Sequence, residues 1–513
     1  MADQLRAIAE QQQGQAHYSP HEARIGLSSV GGIMNDTIVS LLNMGRPQTA
    51  LTLKDAVDML ADALGPDHPR TLIARNNLAL THQDAGSLQK ALDMHQALLA
   101  DCTRVFGPNH PHTLTARSNL ATAYQEAGNL STAIDMHQAL LADRTRVLGP
   151  DHPHTLTVRN NLAGAYQEAG NLSRAIDMNQ ALLADCTRIL GPDHPRTLTV
   201  HSNLAYVHRQ AGHVSTSIDI FEDLLPDMTR LLGPDHPRTL TVRNNLANAH
   251  QAAGNLPKAI DMLQAVLADC TRVLGPDHPR TLTARNSLAD AYRQAGHVFT
   301  AIDMFEDLLP DMTRLLGPDH PHTLTVRNNL ANAHYAAGDL QKAIAMHQAL
   351  LTDRTRLLGP DHPDTLGTRN NLAAAYQDAG HLSTAIDMYQ ALLADCTRLL
   401  GPDHPNTLGT RNNLAAAYQD AGHLSTAIDM YEALLPDMTR VLGPDHPDTL
   451  GTRNNLARAH RQAGNLPKVI ALRHQAALAN KARIPGPDHP KEGTSALPNP
   501  QKDIWRRRNR KSR

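Results

Sequence analysis

Residues 149–190 read GPDHPHTLTVRNNLAGAYQEAGNLSRAIDMNQALLADCTRIL, and the return of this 42-residue stretch decides the fold. Its opening block, Gly-Pro-Asp-His-Pro, starts at Gly65, Gly149, Gly191, Gly233, Gly275, Gly317, Gly359, Gly401 and Gly443, with an Asn109 variant at Gly107. The ten starts are 42 residues apart without a slip, so 65–484 is one unit copied ten times. Unit eight (Gly359 to Leu400) and unit nine (Gly401 to Leu442) differ at only five positions. Such an array is an elongated solenoid in which each unit touches mainly its neighbours. It grows without a new core, so the 513 residues make one long domain rather than three or four.

Within the quoted unit the apolar spacing changes phase once. Leu156, Leu162, Ala163, Ala165, Tyr166 and Ala169 fall on one stripe at helical spacing, ended by Gly170, which predicts a first helix, A. Leu172, Ala175, Ile176, Met178, Leu182, Leu183, Cys186, Ile189 and Leu190 form a second stripe, helix B, running into the next Gly-Pro. Proline stands where helices open, in the His-Pro step before helix A and at Pro257 and Pro467 before helix B, places where its missing N–H costs nothing. Pro226, Pro310 and Pro436 fall late in helix B and are expected to kink its last turns and change the curvature locally. Upstream, 23–64 reads as a divergent capping unit, with Met44-Gly45 as its turn and Ala50-Leu51 opening its second helix. Residues 1–22 read as a disordered or frayed leader, and 485–513 as a flexible basic tail.

Composition excludes more than it identifies. With 19% charged residues and a formal charge of −2, the chain as a whole favours neither nucleic acid nor membrane. The cations are uneven: Arg506, Arg507, Arg508, Arg510, Lys511 and Arg513 crowd the tail and leave the body mildly acidic. No stretch approaches the roughly 18 apolar residues of a membrane span, and Met1 to Gln15 has no charged-then-apolar leader, so a cytoplasmic location is expected. Cys102, Cys186, Cys270 and Cys396 share one place in their units with Met228, Met312, Met438, Arg144 and Arg354, which marks a packing position rather than a disulfide or metal ligand.

From Asn160 the quoted unit reads Asn-Asn-Leu-Ala-Gly-Ala-Tyr-Gln-Glu-Ala-Gly-Asn-Leu-Ser-Arg-Ala-Ile, which resembles the tetratricopeptide repeat (TPR). Leu162, Ala163, Tyr166, Gly170 and Ala175 stand at that family's packing positions. The 42-residue length and the Leu-Gly-Pro-Asp-His-Pro connection resemble its kinesin-light-chain-like subclass, also found in bacterial and fungal signalling proteins of the NB-ARC type. The resemblance implies an all-α, right-handed TPR superhelix whose concave groove, lined by helix A, holds an extended peptide. It implies a non-enzymatic scaffold, with no cofactor and no metal.

Opposite the apolar stripe of helix A lie Asn160, Asn161, Gly164, Gln167 and Glu168. The second residue of the Asn doublet recurs as Asn77, Asn119, Asn161, Asn203, Asn245, Asn329, Asn371, Asn413 and Asn455, broken by Ser287. An Asn side chain donates and accepts, so it matches a peptide backbone unit without reading its sequence. The same amides can instead bridge neighbouring helices in the stack. Specificity would come from the next turn, where Tyr206, Asn248, Asp290, Asn332 and Arg458 diverge. The arginines of helix A, such as Arg159 and Arg243, sit at the edge of the apolar stripe and are expected to pair with an Asp of helix B rather than to read a ligand carboxylate.

Thirty histidines suggest metal, yet they sort by repeat position. Eleven lie in the Gly-Pro-Asp/Asn-His-Pro blocks, and His82, His208, His250, His334 and His460 exchange with Tyr124, Tyr166 and Tyr292, which a metal ligand would not do. There is no phosphate-binding Gly-rich loop, no Gly-x-Ser-x-Gly elbow and no His-Glu-x-x-His. The function expected is a scaffold binding a protein or peptide in its groove. A second reading is the sensor arm of an NB-ARC-like signalling system. A third is contact with nucleic acid or an anionic surface through the basic tail, with Trp505 as its anchor. Near-identical units also allow self-association by exchange of units between chains.

Overall fold

The computed structural model describes residues 20–470 and 472. Among them are 22 helices and no strand. The first three are α1 (Pro20–Asn43), α2 (Pro47–Leu51) and α3 (Lys54–Leu64), so the segment after the Met44-Gly45 turn is two helices, separated at Thr52 and Leu53. The regular pairs follow, from α4 (Pro69–Asp84) and α5 (Leu88–Phe106) to α22 (Pro447–Gln462), the A helix of the tenth unit. Unit three contributes α8 (Pro153–Glu168) and α9 (Leu172–Leu190).

Each regular helix A starts in the same way, and the repeated block explains it. Its Pro occupies the first helical turn, and its His is the N-cap: Nδ1 accepts the backbone N–H two residues on, at 3.1–3.2 Å in all ten units, as from Arg70 to His68 and from Asp448 to His446. An imidazole here does the work usually given to Ser, Thr, Asp or Asn. The block's Gly holds φ between +86° and +100°, with ψ near 160° where helix B ends at Gly191, a conformation open in practice to Gly alone.

Pairs stack through apolar clusters shared between units. One joins Leu282, Ala289, Phe305, Leu308 and Met312 of unit six to Val326, Leu330 and Ala333 of unit seven. Consecutive A helices also pack directly on one another, whereas consecutive B helices are held apart. The A row is therefore the inner wall of the curve and the B row the outer.

The curve closes on itself. Gly128, at a turn between helices A and B, meets the His362-Pro363 step five to six units later, where a Cβ on the glycine would stand 2.6 Å from Pro363 Cδ. Nε2 of His362 lies 2.9 Å from the carbonyl oxygen of Glu126. Gly86 meets Pro321, Gly170 meets His404 and Pro405, Gly212 meets His446, and Gly45 of the first turn meets Pro279. Helices α5 and α17 (Leu340–Leu358), six units apart, also touch. One superhelical turn thus seats on the next along a continuous seam.

The helices that carry Pro226, Pro310 and Pro436 run on through the proline. Helices Val214–Leu232 and Val298–Leu316 keep the 19-residue length of helix B in units without the proline. All three prolines are exposed, on the side of helix B where a carbonyl left without a helical partner can meet water.

Candidate functional site

The inner wall carries the Asn doublets as a ladder of hydrogen bonds. The second Asn of one unit donates its Nδ2 to Oδ1 of the first Asn of the unit before: Asn119 to Asn76 at 2.8 Å, Asn203 to Asn160 at 2.9 Å, Asn329 to Asn286 at 3.0 Å, Asn371 to Asn328 at 3.1 Å, Asn413 to Asn370 at 2.9 Å and Asn455 to Asn412 at 3.3 Å. Asn77 reaches Asn35 of α1 at 3.4 Å and carries the ladder into the first turn. Serine breaks it three times. Ser118 and Ser202 stand where Asn161 and Asn245 would find their acceptors, and neither amide makes a side-chain hydrogen bond among the described residues. Ser287 stands where a donor is needed and leaves Asn244 Oδ1 buried and unpaired.

One turn further along helix A, the divergent residues fare differently. Asp290 is saturated within the chain, accepting from Gln251 Nε2 at 2.8 Å, Arg293 Nη2 at 2.6 Å and Gln294 Nε2 at 2.9 Å. The guanidinium of Arg209 lies over the Tyr206 ring at 4.8 Å. Asn248 and Asn332 are half-buried on the wall, and Arg458 is exposed. Trp505 lies outside the described residues. At the C-terminal end of helix A a second row runs from unit to unit, with Gln125 donating to Glu168 at 2.7 Å and Gln377 to Asp420 at 2.7 Å.

A cavity of about 330 Å³ opens in the wall at unit three, where the ladder is broken. Thr122 and Gln125 of unit two, Asn160, Asn161, Gly164, Gln167 and Asn179 of unit three, and Asn203 and Tyr206 of unit four line it, without a charged side chain. Gly164 and Asn179 create the space. Asn179 occupies a slot of helix B that holds Phe221, Phe305, Tyr389 and Tyr431 in other units, each almost wholly buried. Asn179 is 2% exposed. Its Nδ2 bonds back to Ala175 O at 2.9 Å, and its Oδ1 has no partner. The sequence reading points to the helix A face alone; the signal in the sequence for the cavity is an asparagine in a slot that elsewhere holds a ring or Leu263, opposite a helical glycine.

The arginines of helix A pair internally. Arg75–Asp101, Arg159–Asp185, Arg243–Asp269 and Arg369–Asp395 close at 2.6–2.7 Å. The same aspartates accept from an arginine three residues on, which reaches back to the block's Asp, as Arg272 does from Asp269 to Asp235. These arginines hold the Asp269 carboxyl below the usual carboxylate range. The exchange of His with Tyr also has an internal logic. Tyr124, Tyr166 and Tyr292 accept from Gln96, Gln138 and Gln264 at 2.6–2.7 Å. Where His250, His334 and His460 stand, the glutamine is replaced by Glu222, Glu306 and Glu432, each 3.4–3.9 Å from the ring and 3.2–3.3 Å from a lysine. Among the described residues no cluster of three or more His, Cys, Asp or Glu is placed to hold a metal ion. All four cysteines are buried as free thiols.

The tetratricopeptide repeat family model matches residues 73–142, 119–185, 216–269, 238–310, 298–352, 327–395 and 368–437, well over half of the sequence. The chain is a tetratricopeptide repeat protein. A search of curated proteins finds no match. Solved structures similar to this TPR protein include the Podosopora anserina putative kinesin light chain nearly identical TPR-like repeats, at 27% identity over 40% of this chain and 97% of that one, with a TM-score of 0.35. BtubC (BKLC) from P. vanneervenii is 21% identical over 45% and 91%, with a TM-score of 0.34. A Rap protein complexed with Competence and Sporulation Factor is 13% identical over 72% and 98%, with a TM-score of 0.49. No helix among the described residues of the TPR array is long and apolar enough to cross a membrane.

Proposed function

We propose that this TPR protein is a protein-interaction scaffold that holds an extended peptide segment along the inner wall formed by its A helices. The observation that carries this reading is what each rung leaves free. In the Asn119–Asn76 rung, Asn119 Nδ2 and Asn76 Oδ1 are consumed. Asn119 Oδ1 and Asn76 Nδ2 remain, one acceptor and one donor held in place by the bond between their partners. That is the complement of a peptide unit. Packed helices stand about 8–10 Å apart and an extended chain advances roughly 3.3 Å per residue, so one rung serves about every third residue. Bridging the stack and meeting a ligand are therefore two uses of one side chain.

The test substitutes the first Asn of each rung and spares the bond. Asn286→Asp, Asn328→Asp and Asn370→Asp keep the acceptor for Asn329, Asn371 and Asn413 and replace the ligand-facing donor by a carboxylate. Peptides selected from a random display library on the wild-type protein should lose at least tenfold in affinity for the triple variant, with unchanged circular dichroism. Equal binding to both would move the binding surface off the ladder. The sensor-arm reading requires a nucleotide-binding partner, and the tail reading rests on residues outside the described ones; no observation favours either.

A further inference from the structure

We propose that the unit-three cavity is a side-chain subsite for an uncharged carboxamide, the side chain of a glutamine in a bound peptide; this rests on the inner-wall reading. Two groups converge on the cavity with opposite needs. Asn179 Oδ1 is a buried acceptor with no donor. Its orientation is not free, because Nδ2 is committed to Ala175 O at 2.9 Å. Asn161 offers a donor that no rung consumes, since Ser118 replaces the expected Asn. A carboxamide supplies one donor and one acceptor and answers both. A carboxylate answers one and brings charge into a cavity whose lining is neutral. Glu168, beside the cavity through its bond from Gln125, adds like-charge repulsion.

Depth selects the longer amide. The slot that Asn179 leaves short takes a phenyl or phenol ring from helix B in units four, six, eight and nine, through Phe221, Phe305, Tyr389 and Tyr431. What Asn179 leaves vacant is thus the outer part of a ring, the atoms by which Phe or Tyr exceeds Asn, and the missing Cβ of Gly164 widens the mouth. Units eight and nine have Ala374 and Ala416 at the position of Gly164, so they lack both features.

The subsite is tested on the full chain with a capped, fluorescently labelled peptide Ala-Ser-Ala-Gln-Ala-Ser-Ala and two relatives whose central residue is Glu or norleucine, by fluorescence anisotropy. One hydrogen bond contributes about a fivefold change in affinity, so the Gln peptide should bind at least fivefold tighter than either relative. Asn179→Phe, which installs the side chain of Phe221 and Phe305, should level the three peptides. Asn161→Ser, which copies the serine that unit six carries as Ser287, keeps the helix intact and should cut the preference severalfold even where Asn179→Phe impairs folding. Equal affinity of the three peptides for the wild type, or a Gln preference that survives both substitutions, overturns the proposal. If library peptides bind the wall and no Gln preference exists, the subsite fails and the groove reading stands. If the Gln preference is abolished by Asn179→Phe but is indifferent to the rung substitutions, the subsite stands and the groove reading fails.

Discussion

The histidines buried between helices A and B make the stability of the array depend on pH, and one slot shows how much. It is filled by His95, His137, Asn179, Phe221, Leu263, Phe305, His347, Tyr389 and Tyr431 in successive units. His95, His137 and His347 are 0%, 0% and 1% exposed. Both ring nitrogens of His95 and His137, and Nδ1 of His347, have no partner among the described residues. Burial pushes the pKa of each down to about 4. A folded-state pKa below the unfolded value of about 6.5 means that the unfolded chain binds more protons. Stability is therefore whole above about pH 6.5 and is lost as the pH falls toward 4. At about 1.4 kcal/mol per pKa unit, moving from pH 7.5 to pH 5 costs on the order of 2 kcal/mol at each of the three sites. The perturbation is His95→Phe, His137→Phe and His347→Phe together, which installs a ring the same slot already buries as Phe221 and Phe305. At pH 7.5 the triple variant should gain about 1 kcal/mol per site by removing unpaired polar nitrogens from the core. At pH 5 its advantage should grow by about 2 kcal/mol per site. Because repeat arrays melt in blocks, hydrogen exchange followed in units one, two and seven is the assay, with thermal unfolding as a check. Parallel loss of protection in variant and wild type between pH 7.5 and pH 5 would refute the reasoning, as would destabilisation by Phe at all three sites at pH 7.5.

The seam gives a matched pair of glycine variants. Gly128→Val places a side chain against Pro363 and should open the superhelix, raising the maximum dimension seen by small-angle X-ray scattering, whereas Gly296→Val, at a similar positive φ with nothing within 4 Å, should leave it unchanged. Gly367, Gly409 and Gly451 lie inside helix A with open space at the Cβ position, so Ala at all three should stabilise by about 0.5–1 kcal/mol each, read by chemical denaturation. Asp269→Ala should cost about 1 kcal/mol locally by leaving Arg243 unpaired while Arg272 keeps Asp235, and hydrogen exchange should show the loss centred on unit five.

The helices were legible because a unit must bury one stripe of each against its neighbours, and ten copies state the stripe ten times. The internal pairing of the helix A arginines was legible for the same reason: Arg159 sits at the stripe's edge, where its stem packs and its head reaches Asp185. The His N-cap is hidden in the sequence because capping is written in Ser, Thr, Asp and Asn, and the block reads as a Pro signal with a histidine beside it. The rungs were visible as an Asn doublet, but which amide bridges and which faces out depends on the stagger of adjacent helices. The cavity at unit three needed the same three-dimensional information, joining Asn161 and Gly164 on α8 with Asn179 on α9. The seam could not be read at all. His362 and Glu126 meet across 236 residues because a small rotation at each unit interface accumulates to a full turn, and no unit encodes that sum.

Closure along the seam and binding on the inner wall constrain each other. With consecutive turns seated together, the wall faces a space entered from the ends of the superhelix or through a parted seam. Apart from the contact between α5 and α17, each seam contact is thin: one glycine against a His-Pro step, and at Glu126 one bond from His362 at 2.9 Å. A hydrogen bond of this kind contributes about 1 kcal/mol net, so parting the seam over one or two units lies within reach of the affinity that a few rungs supply. The seam also carries its own proton sensitivity. His320, whose ring faces the backbone of Asp84 across the seam, is pushed down to about 4 by burial. The closed seam thus favours an uncharged imidazole. Lowering the pH from about 6.5 toward 4 charges His320, whose Nδ1 caps its helix, and opposes closure. A segment threaded along the wall should therefore leave faster as the pH falls through that window, measured as the release rate of a bound peptide against pH.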